Sequence, residues 1–216
     1  MKLYKLTDEH GNTRNNMHWE IGTVHEVSGV PMLCSDTVIH AYTSPLLAVF
    51  MNPAQGAFSN PVAFEAVGDV IVFDGTKVGV QKLTITGTCE LPKVSQTQCV
   101  AFGILCALKV CIAPGFVSWA NKWLSGENRS KEAAYDAAYT AAYAANAAYT
   151  AANAAYAAYA ANAAYTAAHA NYATYANYVA AYAANAVYTA YAADYANYAD
   201  ASIDFQRLAE KALTYE

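Results

Sequence analysis

The chain has 216 residues and a formal net charge of −5 from 12 basic and 17 acidic side chains. Hydrophobic residues make up 56% and charged residues 13%, which excludes a solvated, disordered polymer. The acidic balance argues against generic DNA or RNA binding, which needs cationic groups to replace phosphate counterions.

The N-terminal MKLYKLTDEHGN lacks an apolar run of signal-peptide length, so export by that route is not expected. Lys2–Leu6 is a strand candidate. Trp19–Val27 (WEIGTVHEV) is a second, closed by a Ser28-Gly29 turn. Ser44-Pro45 has the form of a helix start, with serine as N-cap and proline at the first helical position. The following LLAVFM gives one or two turns, expected to end at Asn52-Pro53. PVAFEAVGDVIVF and KVGVQKLTITG then read as two strands joined at Asp74-Gly75, a hairpin signal. Residues 1–95 are therefore expected to form a small antiparallel, β-rich α+β domain.

Residues 96–216 read as an all-α domain. Ser95 with Gln98 is a capping-box pattern, opening a helix over 96–112 that Pro114-Gly115 is expected to end. A second short helix covers 116–125, with Phe116, Trp119, Ala120 and Trp123 at i, i+3, i+4, i+7 spacing on one face. Ser125-Gly126 stops it. A terminal helix is expected over 202–214. The longest apolar stretch, Cys99–Ala113, spans 15 residues and carries Lys109. It falls short of the roughly 20 residues a spanning helix needs, so no membrane partner is expected.

Between these helices lies an unusual segment. Residues 133–200 hold 15 of the 18 tyrosines and 7 asparagines, and alanine fills half of the positions. No Asp, Glu, Lys or Arg lies between Asp136 and Asp194, and neither glycine nor proline occurs from Lys131 to the C-terminus. Alanine is the best helix former, so 130–200 is expected to be helical. The tyrosine phase slips. Tyr135, Tyr149 and Tyr156 share one heptad position, Tyr165 and Tyr172 another, and Tyr188 and Tyr195 a third. One continuous seam would not slip in this way without stutters, which favours several helices folded back on one another. Alanine permits close helix approach, and tyrosine supplies area together with a hydroxyl. A binding surface is expected at Tyr149, Tyr156, Tyr159, Tyr165, Tyr172, Tyr175, Tyr178 and Tyr182.

Motifs for chemistry are sparse. The chain has no GxxxxGK[ST], GxGxxG, CxxC or HExxH, and no cofactor is expected. His18, His25, Cys34 and His40 are spaced 7, 9 and 6 apart, which matches no zinc pattern, so no metal is expected. CSDTVIH could bring Cys34 or Ser35 near Asp36 and His40 as a nucleophile, carboxylate and base. No signature accompanies that trio, and no catalytic residue is assigned. The five cysteines (Cys34, Cys89, Cys99, Cys106 and Cys111) form no regular framework and fit a reducing cytoplasm.

WEIGTVHEVSG, LCSDTVIHAYTSPLLAVFMNP and KVGVQKLTI resemble an uncharacterised domain of phage and prophage proteins, through Leu33, Cys34, His40, Ala41 and Pro45. CALKV, FVSWANKWLSGENRSKEAA and the Ala-rich continuation resemble bacterial immunity proteins. The resemblance implies no catalytic residues. The function expected is that of a non-enzymatic cytoplasmic binding protein of phage or bacterial origin. It would sequester a toxin, a defence protein or a small signal through its Tyr/Asn-rich helices. The alternative is a structural protein whose helices build a homo-oligomer or filament. A homo-oligomer is expected in either case.

Overall fold

A computed structural model describes residues 1–14, 17–109, 114–138 and 203–216, with backbone alone at 53 and 54. The chain divides into two compact units, Met1–Lys93 and Val94–Glu216.

The first unit is α+β. Its strands are β1 (Lys2–Thr7), β2 (Asn12–Thr13), β3 (Met17–His18), β4 (Val24–Glu26), β5 (Ile39–Ala41), β6 (Val62–Phe73) and β7 (Val78–Cys89). The helix α1, Pro45–Gln55, lies between β5 and β6. β6 and β7 form the expected hairpin about Asp74-Gly75, with register shifts between Glu65 and Ala66, Gly68 and Val70, and Val70 and Val72. Such irregularities bend and twist a strand pair. The bent hairpin serves two sets of neighbours. β1 pairs with the first half of β6, whereas β4 and β5 both pair with β7, at Thr84–Lys82 and Val80–Val78. Tyr4 and Tyr42 then exchange backbone hydrogen bonds of 2.9 Å in both directions. That bridge joins β1 to the end of β5 and curls this part of the sheet into a ring, β1–β6–β7–β5.

The core of this unit is a buried cluster of Leu3, Trp19, Ile39, Ala41, Phe64, Ala66, Val78, Val80, Leu83 and Ile85. Fully burying one aliphatic side chain of this set is worth roughly 1.5–3 kcal/mol. Two local expectations are revised. Only Val24–Glu26 of the Trp19–Val27 run is strand. Gly22 takes a φ of +88°, and its N–H donates to Ile85 C=O at 3.0 Å, so the chain turns there. The turn drops Trp19 into the core, 1% exposed. At α1 the Ser44 hydroxyl accepts from Leu46 and Leu47 N–H at 3.1 and 3.3 Å, as an N-cap should. The helix nevertheless passes Pro53 and ends at Gly56, whose N–H reaches Asn52 C=O. A proline this close to the C-terminal end removes a single hydrogen bond, so the last turn survives.

The second unit is helical in its described parts: α2 (Gln96–Ala107), α3 (Pro114–Leu124), α4 (131–138) and α5 (Phe205–Ala212). Ser95 and Gln98 complete the capping box in both directions. α2 ends at Ala107, short of the expected 112. Pro114 opens α3 instead of marking a break, because a first-turn position needs no N–H. Phe116, Trp119, Ala120 and Trp123 are the buried face of α3, at the spacing expected. Ser130 caps α4 through its hydroxyl, 3.3 Å from Ala133 N–H, and Ala134, Ala137 and Ala138 are buried. Asp204 caps α5, accepting from Arg207 N–H at 2.9 Å. α5 lies against α2, where Gln98 Nε2 donates to Leu213 C=O at 3.0 Å. No helix among the described residues is long and apolar enough to cross a membrane.

Candidate functional site

The proposed tyrosine surface, Tyr149, Tyr156, Tyr159, Tyr165, Tyr172, Tyr175, Tyr178 and Tyr182, lies outside the described residues. The polar cluster best defined by the structure is in the first unit. It combines one residue of the CSDTVIH run with groups that local sequence patterns do not reveal.

His40 sits at the centre of β5, opposite Gly79 of β7. A Cβ on Gly79 would come within 2.7 Å of Val72 Cγ2 and 3.0 Å of Val38 Cγ2, so the strands meet here only because glycine has none. The ring Nε2 of His40 accepts the backbone N–H of Cys34 at 3.0 Å. An accepting Nε2 places the ring proton on Nδ1. Burial, then the charges of Lys77 and Lys5, push the His40 pKa down to about 4. Asp74 opposes that shift. The imidazole is therefore neutral at physiological pH.

Cys34 and His40 thus come together, but through the cysteine amide and not the thiol. Cys34 is exposed, with a left-handed φ of +63°. A left-handed backbone costs a non-glycine residue about 1–2 kcal/mol. The loop around it is held by hydroxyls. Ser35 Oγ donates to Met32 C=O at 2.7 Å, and Thr37 Oγ1 donates to Val30 C=O at 2.9 Å. Gln81 Nε2 ties the loop to β7 through Gly29 C=O at 2.8 Å. Asp36 is exposed and takes no part in these bonds.

Lys5 enters from β1. Alternation puts Leu3, Lys5 and Thr7 on the core face, and Lys5 pairs in register with Phe64. Its side chain is buried, with the residue 8% exposed. The ammonium donates to His40 C=O at 2.9 Å and lies 4.7 Å from the centroid of the Trp19 ring. Burial alone brings its pKa down to about 8. No carboxylate among the described residues forms an ion pair with it. Beside it, the β6–β7 turn buries Asp74 and Lys77, with Lys77 Nζ 3.5 Å from Asp74 Oδ2. The other carboxylate oxygen accepts three bonds, from Thr76 N–H and Oγ1 and from Lys77 N–H, at 2.6–2.9 Å. The Tyr42 hydroxyl is buried, and burial together with Asp74 raises its pKa.

Lys5, Lys77 and Asp74 therefore lie close enough to His40 to act on its charge, and Asp74 close enough to act on Tyr42. The sequence hint for Lys5 is its i+2 relation to Leu3 on a half-buried strand. Only the pairing with β6, some sixty residues away, shows which face is inward.

His18 and His25 help to hold the first unit together. His25 Nε2 bonds His18 C=O at 2.8 Å and its ring meets Trp19 edge-on, while His18 Nδ1 bonds Asn12 Oδ1 at 3.0 Å. No group of three or more His, Cys, Asp or Glu suited to a metal occurs among the described residues. Compared with known proteins, the chain matches no family model, no curated protein and no solved structure.

Proposed function

We propose that the chain is a non-enzymatic binding protein of phage or bacterial origin, acting in the cytoplasm of a bacterial host. It sequesters a toxin, a defence protein or a small signal through the Tyr/Asn-rich segment 130–200. The observation that carries this reading is chemical: 15 of 18 tyrosines stand in a segment with no Asp, Glu, Lys or Arg between Asp136 and Asp194. Tyrosine offers large contact area at low entropic cost and a hydroxyl for polar contacts, the profile of a recognition surface. The free thiols of Cys34, Cys89, Cys99 and Cys106 support a reducing compartment. The use of His40 Nε2 by the Cys34 amide supports a non-catalytic role for that pair. The resemblance of the first unit to phage and prophage proteins supports the origin.

The test is native mass spectrometry of the tagged protein purified gently from a bacterial host, repeated with Tyr149, Tyr156, Tyr165 and Tyr172 changed to alanine. A stoichiometric added mass, lost in the variant, supports sequestration. A defined multiple of 23.1 kDa that the variant reduces to one copy supports homo-oligomeric assembly in its place. A bare single copy in both proteins refutes the two readings together.

A further inference from the structure

Strand alternation sends Ile39 and Ala41 of β5 into the core and His40, between them, to the opposite face. The 30–37 loop reaches back to His40 there, where Cys34 N–H donates to its Nε2 at 3.0 Å. Among the described residues, the other hydrogen bonds of 30–36 stay within the loop. Met32 N–H donates to Thr37 Oγ1, Ser35 Oγ to Met32 C=O and Thr37 Oγ1 to Val30 C=O. Gln81 Nε2 holds only the base of the loop, through Gly29 C=O at 2.8 Å and Thr37 C=O at 3.4 Å. The tip is therefore hydrogen-bonded to the sheet through a single imidazole nitrogen.

Little apolar burial adds to that tie. Val30 is 85% exposed, and Pro31, Met32, Cys34 and Asp36 are exposed as well. A segment with so few buried contacts opens readily. Cys34 also holds a left-handed φ of +63°, a strain that is relieved when the loop lets go. An imidazole nitrogen accepts a hydrogen bond only while it carries no proton. Once both ring nitrogens are protonated, Nε2–H and Cys34 N–H are two donors aimed at each other, and the attraction becomes repulsion. The His40 ring is partly exposed, so a proton from solvent reaches it.

We propose that His40 is an acid-operated latch on the 30–37 loop: a proton taken up at Nε2 displaces Cys34 N–H and frees the tip. Lys77, beside the start of β7, and Lys5 of β1 oppose the charge that this proton brings, while Asp74 of the β6–β7 turn favours it. The loop itself carries Asp36 and the Cys34 thiol. The pairing of β5 with β7 uses backbone groups, so the sheet keeps its register when the tip leaves. The latch is shut at neutral pH and opens on acidification. It uses no residue of 130–200, so its failure leaves the sequestration reading untouched.

The test is nuclear magnetic resonance of the full chain between pH 7 and about pH 3, following the His40 ring shifts and the backbone amide relaxation of residues 32–36. Order parameters of these amides should fall from about 0.85 to below about 0.6. The midpoint should be that of the His40 ring, near pH 4, while the amides of Val80 and Leu83 stay ordered. His40→Gln supplies a carbonyl acceptor that does not titrate, so its loop should stay ordered over the whole range. His40→Ala should leave the loop mobile already at pH 7. Should His40→Ala fold poorly, the comparison of wild type with His40→Gln decides. Asp36→Asn should repeat the wild-type result, which separates the latch from protonation of the loop carboxylate. A loop that stays ordered after the His40 ring is protonated overturns the proposal. So does loosening at the same pH in His40→Gln, its disappearance in Asp36→Asn, or loss of order at Val80 and Leu83 with the same midpoint.

Discussion

Lys5→Met isolates the energetic consequence of an ammonium buried without a counter-charge. The lysine pKa falls from the usual 10.5 to about 8 in the folded chain. Between those two values the unfolded chain holds more protons than the folded one, so stability rises with pH across that window. At about 1.4 kcal/mol per pH unit, the charged form costs the fold roughly 3 kcal/mol near pH 7, most of which is gone by pH 10. Methionine fills a similar volume without charge, but it leaves the His40 carbonyl without its donor, a loss of about 1–3 kcal/mol at any pH. The difference between the two proteins should therefore shift by about 2–3 kcal/mol in favour of wild type from pH 7 to pH 10. Urea unfolding followed by the methyl resonances of Ile39 and Ile85 reports the first unit alone, since both are core residues there. A difference that stays constant over that range would refute the buried, unpaired ammonium.

Other expectations follow from the same cluster. His40 has its pKa lowered from 6.5 to about 4, so its contribution is intact above pH 6.5 and lost as pH falls toward 4. Discounted for its half-exposed ring, wild type should lose about 1–2 kcal/mol relative to His40→Gln over that interval. A ring titrating near 6.5 by its proton shifts would contradict this. Cys34→Gly releases the left-handed strain at φ +63°. Net of the entropy that glycine adds to the unfolded chain, the gain should be about 0.5–1 kcal/mol in the same urea assay. A loss of stability would show that the Cys34 side chain is itself needed.

What the sequence made legible was local. Asp74-Gly75 announces the β6–β7 turn because left-handed glycine and an aspartate that bonds its own turn are contained within four residues. Ser44-Pro45 and Ser95 with Gln98 announce helix starts for the same reason, since a cap concerns only the first turn. The apolar face of α3 follows from spacing alone. The misreadings share a cause as well. Trp19–Val27 has strand composition, but Gly22 turns the chain to bond Ile85, a partner more than sixty residues away. The burial of Lys5 depends on β6, which fixes which face of β1 is inward. Cys34 and His40 were brought together as their spacing suggested, whereas the atoms in contact, an amide and an imidazole nitrogen, depend on a loop conformation that spacing does not encode.

The ring of strands also sets an order of events. The β6–β7 hairpin closes through a four-residue turn, while β1 must find Val62–Val67 across more than fifty residues and Tyr42 across nearly forty. Pairings of that separation form late and slow a domain's folding. During synthesis, Lys2–Thr7 leaves the ribosome long before any strand exists to receive it. Until β6 arrives, Lys5 is an ordinary hydrated lysine. Its ammonium loses water only when the ring shuts, so dehydration of a single charge becomes part of the closing step and one of the last events on the path to the native first unit.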